Sequence, residues 1–86
     1  MTAKIEIYGT TNCRKCVDVR ELLDGKHVEY IDYLIDLMPH EKDEMFRRTG
    51  LRYYPQIFID GEHIGGEEEL MMLALEGKLD RLLGLE

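Results

Sequence analysis

Near its start the chain reads IEIYGTTNCRKCVDVRELLDG over residues 5–25. Alternating apolar residues over 5–8 predict a short strand, which the turn-forming GTTN segment ends. From residue 13 onward the apolar positions follow a helical rhythm that stops at Gly25. Cys13 and Cys16 are the only cysteines of the chain, and this pattern places them at a strand–helix junction.

The rest of the chain continues to alternate between strand and helix patterns. Pro39 suits the first turn of a helix over 39–50, and Asp60-Gly61 predicts a hairpin turn between strands 56–60 and 62–64. Another strand is predicted over 27–36, a helix after Gly65-Gly66 and a last short helix after Gly77. The order β-α-β-α-β-β-α predicts a small α/β domain with the first two strands parallel and helices on the sheet faces.

Composition limits the function classes. With 86 residues the chain is expected to form one domain, 1–86, and its net charge of -7 argues against nucleic-acid binding. No apolar run is long enough for a signal peptide or a membrane span, so the expected location is the cytoplasm. The residues expected in the core or packed against it are Tyr8, Phe58, Leu70, Leu73, Leu75, Met71 and Met72.

A pair of cysteines three positions apart has three physical interpretations. Structural zinc needs two further ligands, whereas His27, His40 and His63 are scattered, so no metal site is expected. A stabilising disulfide is disfavoured, because structural disulfides are rare in reducing compartments and so short a loop contributes little. A redox pair fits, since residues i and i+3 of a helical turn lie within disulfide reach.

The helix start also distinguishes the two thiols. Free N–H groups and the positive end of the helix dipole stabilise a thiolate at Cys13, and Arg14 and Lys15 add positive charge. A solvated helix start is the alternative interpretation of these two cations. Cys16 lies one turn deeper, so we expect Cys13 to attack and Cys16 to resolve.

The sequence resembles the glutaredoxin family over nearly its whole length. The resemblance is carried by CRKC at 13–16, YYPQIFIDGEHIGG at 53–66 and GGEEEL at 65–70, in that order and spacing. It implies a thioredoxin-like fold with a four-stranded mixed sheet flanked by helices. It also implies glutathione-dependent reduction of protein disulfides and of protein–glutathione mixed disulfides, with glutathione as co-substrate and no tightly bound cofactor.

The resemblance further implies a glutathione groove. Pro55 matches the family's cis-proline, beside which the backbone of Tyr54 pairs with the cysteinyl unit of glutathione. Gly66 opens a helix whose N–H groups hold the glutamyl carboxylate, and Glu68, with Glu67 beside it, matches the acid that accepts from the ammonium group. Simple complementarity to the helix dipole remains an alternative for these glutamates.

Two cations complete the predicted groove, and other positions depart from the family pattern. Arg52 matches a contact to the glycyl carboxylate and Lys42 matches another contact position, although Arg47, Arg48 and Arg52 could simply form a solvated face. Arg14-Lys15 replaces the Pro-Tyr of the C-P-Y-C motif, Thr10 replaces a common lysine, and Tyr53-Tyr54 replaces Thr-Val. We hypothesise that Lys15 or Arg52 compensates for the missing lysine.

Three functions remain open on sequence alone. The first is a monomeric dithiol glutaredoxin that acts on disulfide-containing or glutathionylated proteins, ribonucleotide reductase among the candidates. The second is a donor to ribonucleotide reductase that takes electrons from thioredoxin reductase. The third is a [2Fe–2S] carrier, against which Cys16 counts, because dedicated carriers usually have the single-cysteine motif C-G-F-S.

Overall fold

The computed structural model describes residues 2–86 and confirms the predicted order of elements. A last short helix follows the seven predicted elements, after Gly77 as expected. The strands are β1 Ile5–Gly9, β2 Ile31–Leu34, β3 Gln56–Ile59 and β4 Glu62–Gly65, and the helices are α1 Arg14–Gly25, α2 Pro39–Thr49, α3 Glu67–Leu75 and α4 Leu79–Leu82.

The four strands form one mixed sheet in the order β2-β1-β3-β4. β1 pairs with β2 in parallel and with β3 antiparallel, and the β3–β4 hairpin is antiparallel, as predicted. Asp60 and Gly61 both have positive φ at the hairpin turn, which matches the strand twist. The central strand β1 is buried along its whole length, whereas β2 and β4 form the edges.

Helices pack on both faces of the sheet, so the strands contribute side chains to two cores. Because side chains alternate along a strand, Ile5 and Ile7 point to one face and Tyr8 to the other. The larger core joins the first face to α1, α3 and α4, and the smaller one joins the second face to α2. The larger core contains Ile5, Ile7, Val19, Leu23, Val28, Ile57, Ile59, Leu70, Leu79 and Leu83, and the smaller one Tyr8, Ile35, Met45 and Phe58.

A buried ion pair sits within the smaller core. Glu6 of β1 is 4% exposed and accepts hydrogen bonds from Arg48 of α2 and from Tyr33. Burial raises the pKa of Glu6, but the hydrogen bonds from Arg48 and Tyr33 outweigh it and hold the pKa below its ordinary value of 4.5. The Arg48 guanidinium also lies 3.7 Å from the centre of the Phe58 ring. The interpretation of Arg48 as part of a solvated face is therefore wrong.

Three other local predictions need correction. The strand predicted over 27–36 is confined to Ile31–Leu34, because the alternation reflected burial of Val28 and Ile35 as well as strand pairing. Leu75 is 83% exposed and Met72 is 54% exposed, so their assignment to the core and its packing is wrong.

Among residues 2–86, none of the helices combines the length and hydrophobicity that crossing a membrane requires.

Candidate active site

Cys13 is the N-cap of α1, and its sulfur accepts a hydrogen bond from the backbone N–H of Cys16 at 3.2 Å. Its backbone is extended, so the chain turns into the helix at this residue. Both cysteines are free thiols; Cys13 is half-buried, whereas Cys16 is 0% exposed. The Cys13 sulfur therefore lies at the N-terminus of α1 with an N–H donor directed at it, which is the position that the sequence predicts.

The surroundings of Cys16 favour its protonated form. Burial, and then the contact with the Cys13 sulfur, raise the pKa of the Cys16 thiol from 9.0 to about 12. At neutral pH this thiol remains protonated while Cys13 faces the surface. The difference in burial between the two cysteines agrees with the prediction that Cys16 lies one turn deeper than Cys13.

Residues that sequence reasoning missed support the loop between β1 and α1. Arg20, one turn after Cys16 on α1, donates to the carbonyl oxygen of Thr10 at 3.0 Å and forms an ion pair with Asp32. A Cβ at Gly9 would lie 2.8 Å from the Cys16 sulfur, so only glycine leaves room for the buried thiol. The i, i+4 spacing of Cys16 and Arg20 places them on one face of α1, and this spacing could have indicated from the sequence that Arg20 lies near the thiols.

A second support comes from the turn after β2. The Asp36 carboxylate accepts hydrogen bonds from the backbone N–H of Thr11 at 3.2 Å and from its hydroxyl at 2.5 Å. The hydroxyl hydrogen bond is the main cause that lowers the pKa of Asp36. These contacts join residues 25 positions apart, and no local sequence motif predicts them.

A groove of about 180 Å³ lies beside the helix that carries the cysteines. It brings together six of the eight residues predicted to bind glutathione, and the Tyr54–Pro55 peptide bond is cis, as the resemblance implied. The groove is lined by Lys15, Tyr53, Tyr54, Pro55, Gly66, Glu67, Glu68 and Glu69.

The start of α3 forms one wall of this groove. A Cβ at Gly66 would lie 3.1 Å from the carbonyl oxygen of Pro55, so the glycine allows the helix start to approach the proline closely. Glu69 folds back and accepts a hydrogen bond from the Gly66 N–H at 2.6 Å, which is half of a capping box. Sequence reasoning treated Glu69 only as a charge near the helix dipole, although its spacing from Gly66 is that of a capping residue.

Glu67 connects this wall to α1. Burial, and then a hydrogen bond with Asp18, raise the pKa of the Glu67 carboxyl above its ordinary value of 4.5, while the nearby Lys15 ammonium opposes the shift. Asp18 also pairs with Arg14 at 3.2 Å. The two helix starts therefore meet through carboxyl groups, with Lys15 close to them.

The remaining predicted contacts lie outside this lining. The Arg52 guanidinium stacks on the Phe46 ring, 4.0 Å from its centre, and Lys42 is exposed on α2 one turn before Phe46. Lys42 belongs to α2, and Arg52 follows this helix and packs against it through Phe46. In the described part of the chain, no three His, Cys, Asp or Glu side chains are grouped so that they could hold a metal ion.

The model of the family described as Glutaredoxin matches residues 5–64. Glutaredoxin 3 of Escherichia coli (strain K12) is 41% identical over 81 residues, covering 94% of this chain and 98% of that protein. A probable glutaredoxin of Synechocystis sp. is 44% identical over 84 residues, covering 96% of each chain. The chain belongs to the glutaredoxin family.

The structural comparison agrees with this assignment. The crystal structure of a buckwheat glutaredoxin–glutathione complex superposes with a TM-score of 0.87 at 28% identity, covering 95% of this chain and 77% of the buckwheat protein. The fold is therefore thioredoxin-like, as predicted. Membership of the glutaredoxin family makes this chain a member of a family of thiol–disulfide oxidoreductases, and Cys13 and Cys16 are its C-x-x-C pair.

Proposed function

We propose that this glutaredoxin is a glutathione-dependent thiol–disulfide oxidoreductase, with Cys13 as the nucleophile and Cys16 as the resolving thiol. The observation that carries the proposal is the asymmetry of the pair. The Cys13 sulfur is accessible and accepts an N–H hydrogen bond, whereas the Cys16 thiol is fully buried and has a raised pKa of about 12. An accessible thiolate is the species that attacks a disulfide.

Reduction of a protein–glutathione mixed disulfide proceeds in two exchanges. The Cys13 thiolate attacks the glutathione sulfur, a Cys13–glutathione disulfide forms, and the protein substrate leaves as a thiolate that takes up a proton. A second glutathione, as thiolate, then attacks the bound glutathione sulfur. Oxidised glutathione leaves and the Cys13 thiolate is restored, so one free glutathione is consumed and the glutathionyl group of the substrate becomes the other half of oxidised glutathione.

Reduction of a protein disulfide uses both cysteines. Cys13 forms a mixed disulfide with one substrate sulfur, and the other substrate sulfur leaves as a thiolate. Cys16 loses its proton to that leaving thiolate and attacks the Cys13 sulfur, which releases the reduced substrate and leaves a Cys13–Cys16 disulfide. Two glutathiones then reduce this disulfide.

The groove supports glutathione as the electron donor. Lys15, Tyr54, Pro55, Gly66, and the pair Glu67 and Glu68 surround one cavity, and the buckwheat relative was crystallised with glutathione. The Tyr54 backbone would pair with the cysteinyl unit, the start of α3 would hold the glutamyl carboxylate and Glu68 would accept from its ammonium group.

The positions of Lys15 and Arg52 distinguish the two hypotheses about which cation compensates for the missing lysine. Lys15 lines the cavity, whereas Arg52 stacks on Phe46 outside it. This placement supports Lys15 as the compensating charge. Arg52 remains a proposed contact to the glycyl carboxylate of glutathione, and Lys42 of α2 remains a second proposed contact.

A glutathione-coupled turnover assay on 2-hydroxyethyl disulfide tests the proposal. Cys13→Ser is expected to abolish turnover, whereas Cys16→Ser is expected to retain deglutathionylation and lose reduction of a protein disulfide such as that of insulin. Turnover by Cys13→Ser would contradict the assigned roles. Turnover supported by thioredoxin reductase but not by glutathione would favour the alternative donor, and a visible absorbance band in anaerobically purified protein would favour a cluster carrier.

A further inference from the structure

A second and larger groove lies between the edge strand β4 and the helices α3 and α4. We call it the edge groove; its volume is about 510 Å³. Ile64, Leu73 and Leu82 form its apolar floor, and the exposed Met72 stands on its rim. A concave surface with an apolar floor can take up the apolar side chains of a bound segment.

The charges around this apolar floor have one sign. Glu62, Glu68 and Glu69 line the edge groove, and its lining contains no Lys or Arg. Within residues 2–86, neither Glu62 nor Glu68 forms an ion pair. An apolar strip beside unpaired carboxylates is complementary to a segment that carries both apolar and cationic side chains.

The edge groove adjoins the proposed glutathione groove. Glu68 and Glu69 line both cavities, so a segment bound in the edge groove would lie next to a substrate bound in the glutathione groove. β4 pairs only with β3 among the described strands, so its outer edge can accept an extended segment by strand addition. The occupant that fits this position is a stretch of the same protein whose disulfide reacts at Cys13.

We propose that the edge groove binds an extended segment of the substrate protein, rich in Lys or Arg and in apolar residues, that flanks the cysteine attacked by Cys13. This inference rests on the proposed function and adds the substrate class to it. The charge and the apolar contacts of this segment distinguish one protein–glutathione mixed disulfide from another. The glutathione moiety, which all of them share, binds in the proposed glutathione groove.

The test compares glutathionylated peptides that share a central cysteine. One peptide has Lys and Leu in its flanks, one has Glu and Leu, and one has Ser and Gly. We expect kcat/KM about tenfold higher for the Lys–Leu peptide than for the Ser–Gly peptide, which corresponds to about 1.4 kcal/mol. The preference over the Glu–Leu peptide should shrink in about 1 M salt, where the Debye length is about 3 Å.

A matched pair of variants tests whether the preference for the Lys–Leu peptide depends on the edge groove. Glu62→Lys with Met72→Lys changes the edge groove, and Glu29→Lys with Ile31→Lys makes the same change in charge at the opposite edge of the sheet, where both residues are exposed. We expect only the first variant to lose the peptide preference. Both should keep wild-type turnover of 2-hydroxyethyl disulfide. The milder Glu62→Gln with Met72→Ser replaces the first variant if circular dichroism shows that it is unfolded.

The outcomes separate this inference from the proposed function. Failure to turn over 2-hydroxyethyl disulfide with glutathione would overturn the proposed function. Normal turnover with equal kcat/KM for the three peptides, or a preference that the edge-groove variants retain, would overturn the substrate-binding inference alone. A wild-type dimer that the edge-groove variants convert to a monomer would show a second copy in the groove, and would also overturn it.

Discussion

Replacing one cysteine at a time separates the reactivities of the two thiols. In the reduced Cys16→Ser variant only Cys13 can react with iodoacetamide, and in Cys13→Ser only Cys16 can. The structure gives Cys16 no exposed surface and a pKa of about 12, against an ordinary 9.0. Because the thiolate fraction changes tenfold per pH unit below the pKa, this difference reduces the Cys16 thiolate about a thousandfold at pH 7.5.

Replacing Cys13 is expected to restore only part of the reactivity that Cys16 loses through its raised pKa. Burial is the largest cause of the raised pKa of Cys16 and persists in Cys13→Ser, whereas the smaller contribution of the Cys13 contact disappears. We therefore expect alkylation of Cys16 to be at least about a hundredfold slower than alkylation of Cys13, since the thiolate is the reactive form. From pH 7 to pH 10 its rate should keep rising without a plateau.

Mass spectrometry of timed samples measures both rates. In about 6 M guanidinium the two variants should react equally, which shows that the folded structure causes the difference. Alkylation rates within tenfold of each other in the folded variants, or a plateau for Cys16 below pH 9, would refute the reasoning from burial. The assignment of the resolving role to Cys16 would then lose its physical basis.

Three further predictions concern stability. Glu6→Gln leaves Arg48 without its buried carboxylate and should lower the free energy of unfolding by about 2 kcal/mol at pH 7. Because the folded pKa of Glu6 lies below 4.5, wild-type stability should fall as the pH drops through and below that value, and less steeply in Glu6→Gln. Gly9→Ala places a Cβ 2.8 Å from the Cys16 sulfur and should cost about 1–3 kcal/mol. Glu69→Ala removes a capping hydrogen bond and should cost about 1 kcal/mol. Urea unfolding measures all three.

Matched substitutions serve as controls for these values. A Cβ at Gly25 meets no atom within 4 Å, so Gly25→Ala should not destabilise the protein as Gly9→Ala does. Glu68→Ala removes a charge at the same helix start without removing a capping hydrogen bond and should cost less than Glu69→Ala. Equal losses of unfolding free energy within either pair of variants would contradict the assigned contacts. A decrease in stability at acidic pH that is as steep in Glu6→Gln as in the wild type would also contradict them.

The fold was predictable because its signals are local. Pro39 begins α2 and Gly50 caps its end in the left-handed conformation, and Asp60-Gly61 makes the hairpin turn. The length of β2 was not predictable, because Val28 is buried without belonging to the strand, and burial gives the same apolar pattern as pairing. A pattern identifies apolar positions but not which neighbour covers them.

Long-range contacts account for most of what the sequence did not reveal. Glu6 and Arg48 are 42 positions apart, and Glu6 is buried because β1 is central and both of its faces are covered. Leu75 is exposed because α3 carries more apolar residues than the core covers. The groove residues were predicted through the family resemblance, which carries three-dimensional information that spacing alone lacks.

The two residues between the cysteines have different surroundings, although the sequence presents them as one departure from the family pattern. Arg14 pairs with Asp18 along the outer surface of α1, so its charge is offset within the helix. Lys15 lines the proposed glutathione groove and is the only Lys or Arg among its lining residues, which include three glutamates. On the proposed function, Lys15 attracts a carboxylate of glutathione that the glutamates would otherwise repel. On that proposal, a difference in ligand selectivity between this chain and family members with the C-P-Y-C motif would follow from Lys15, whereas Arg14 would affect the start of the helix.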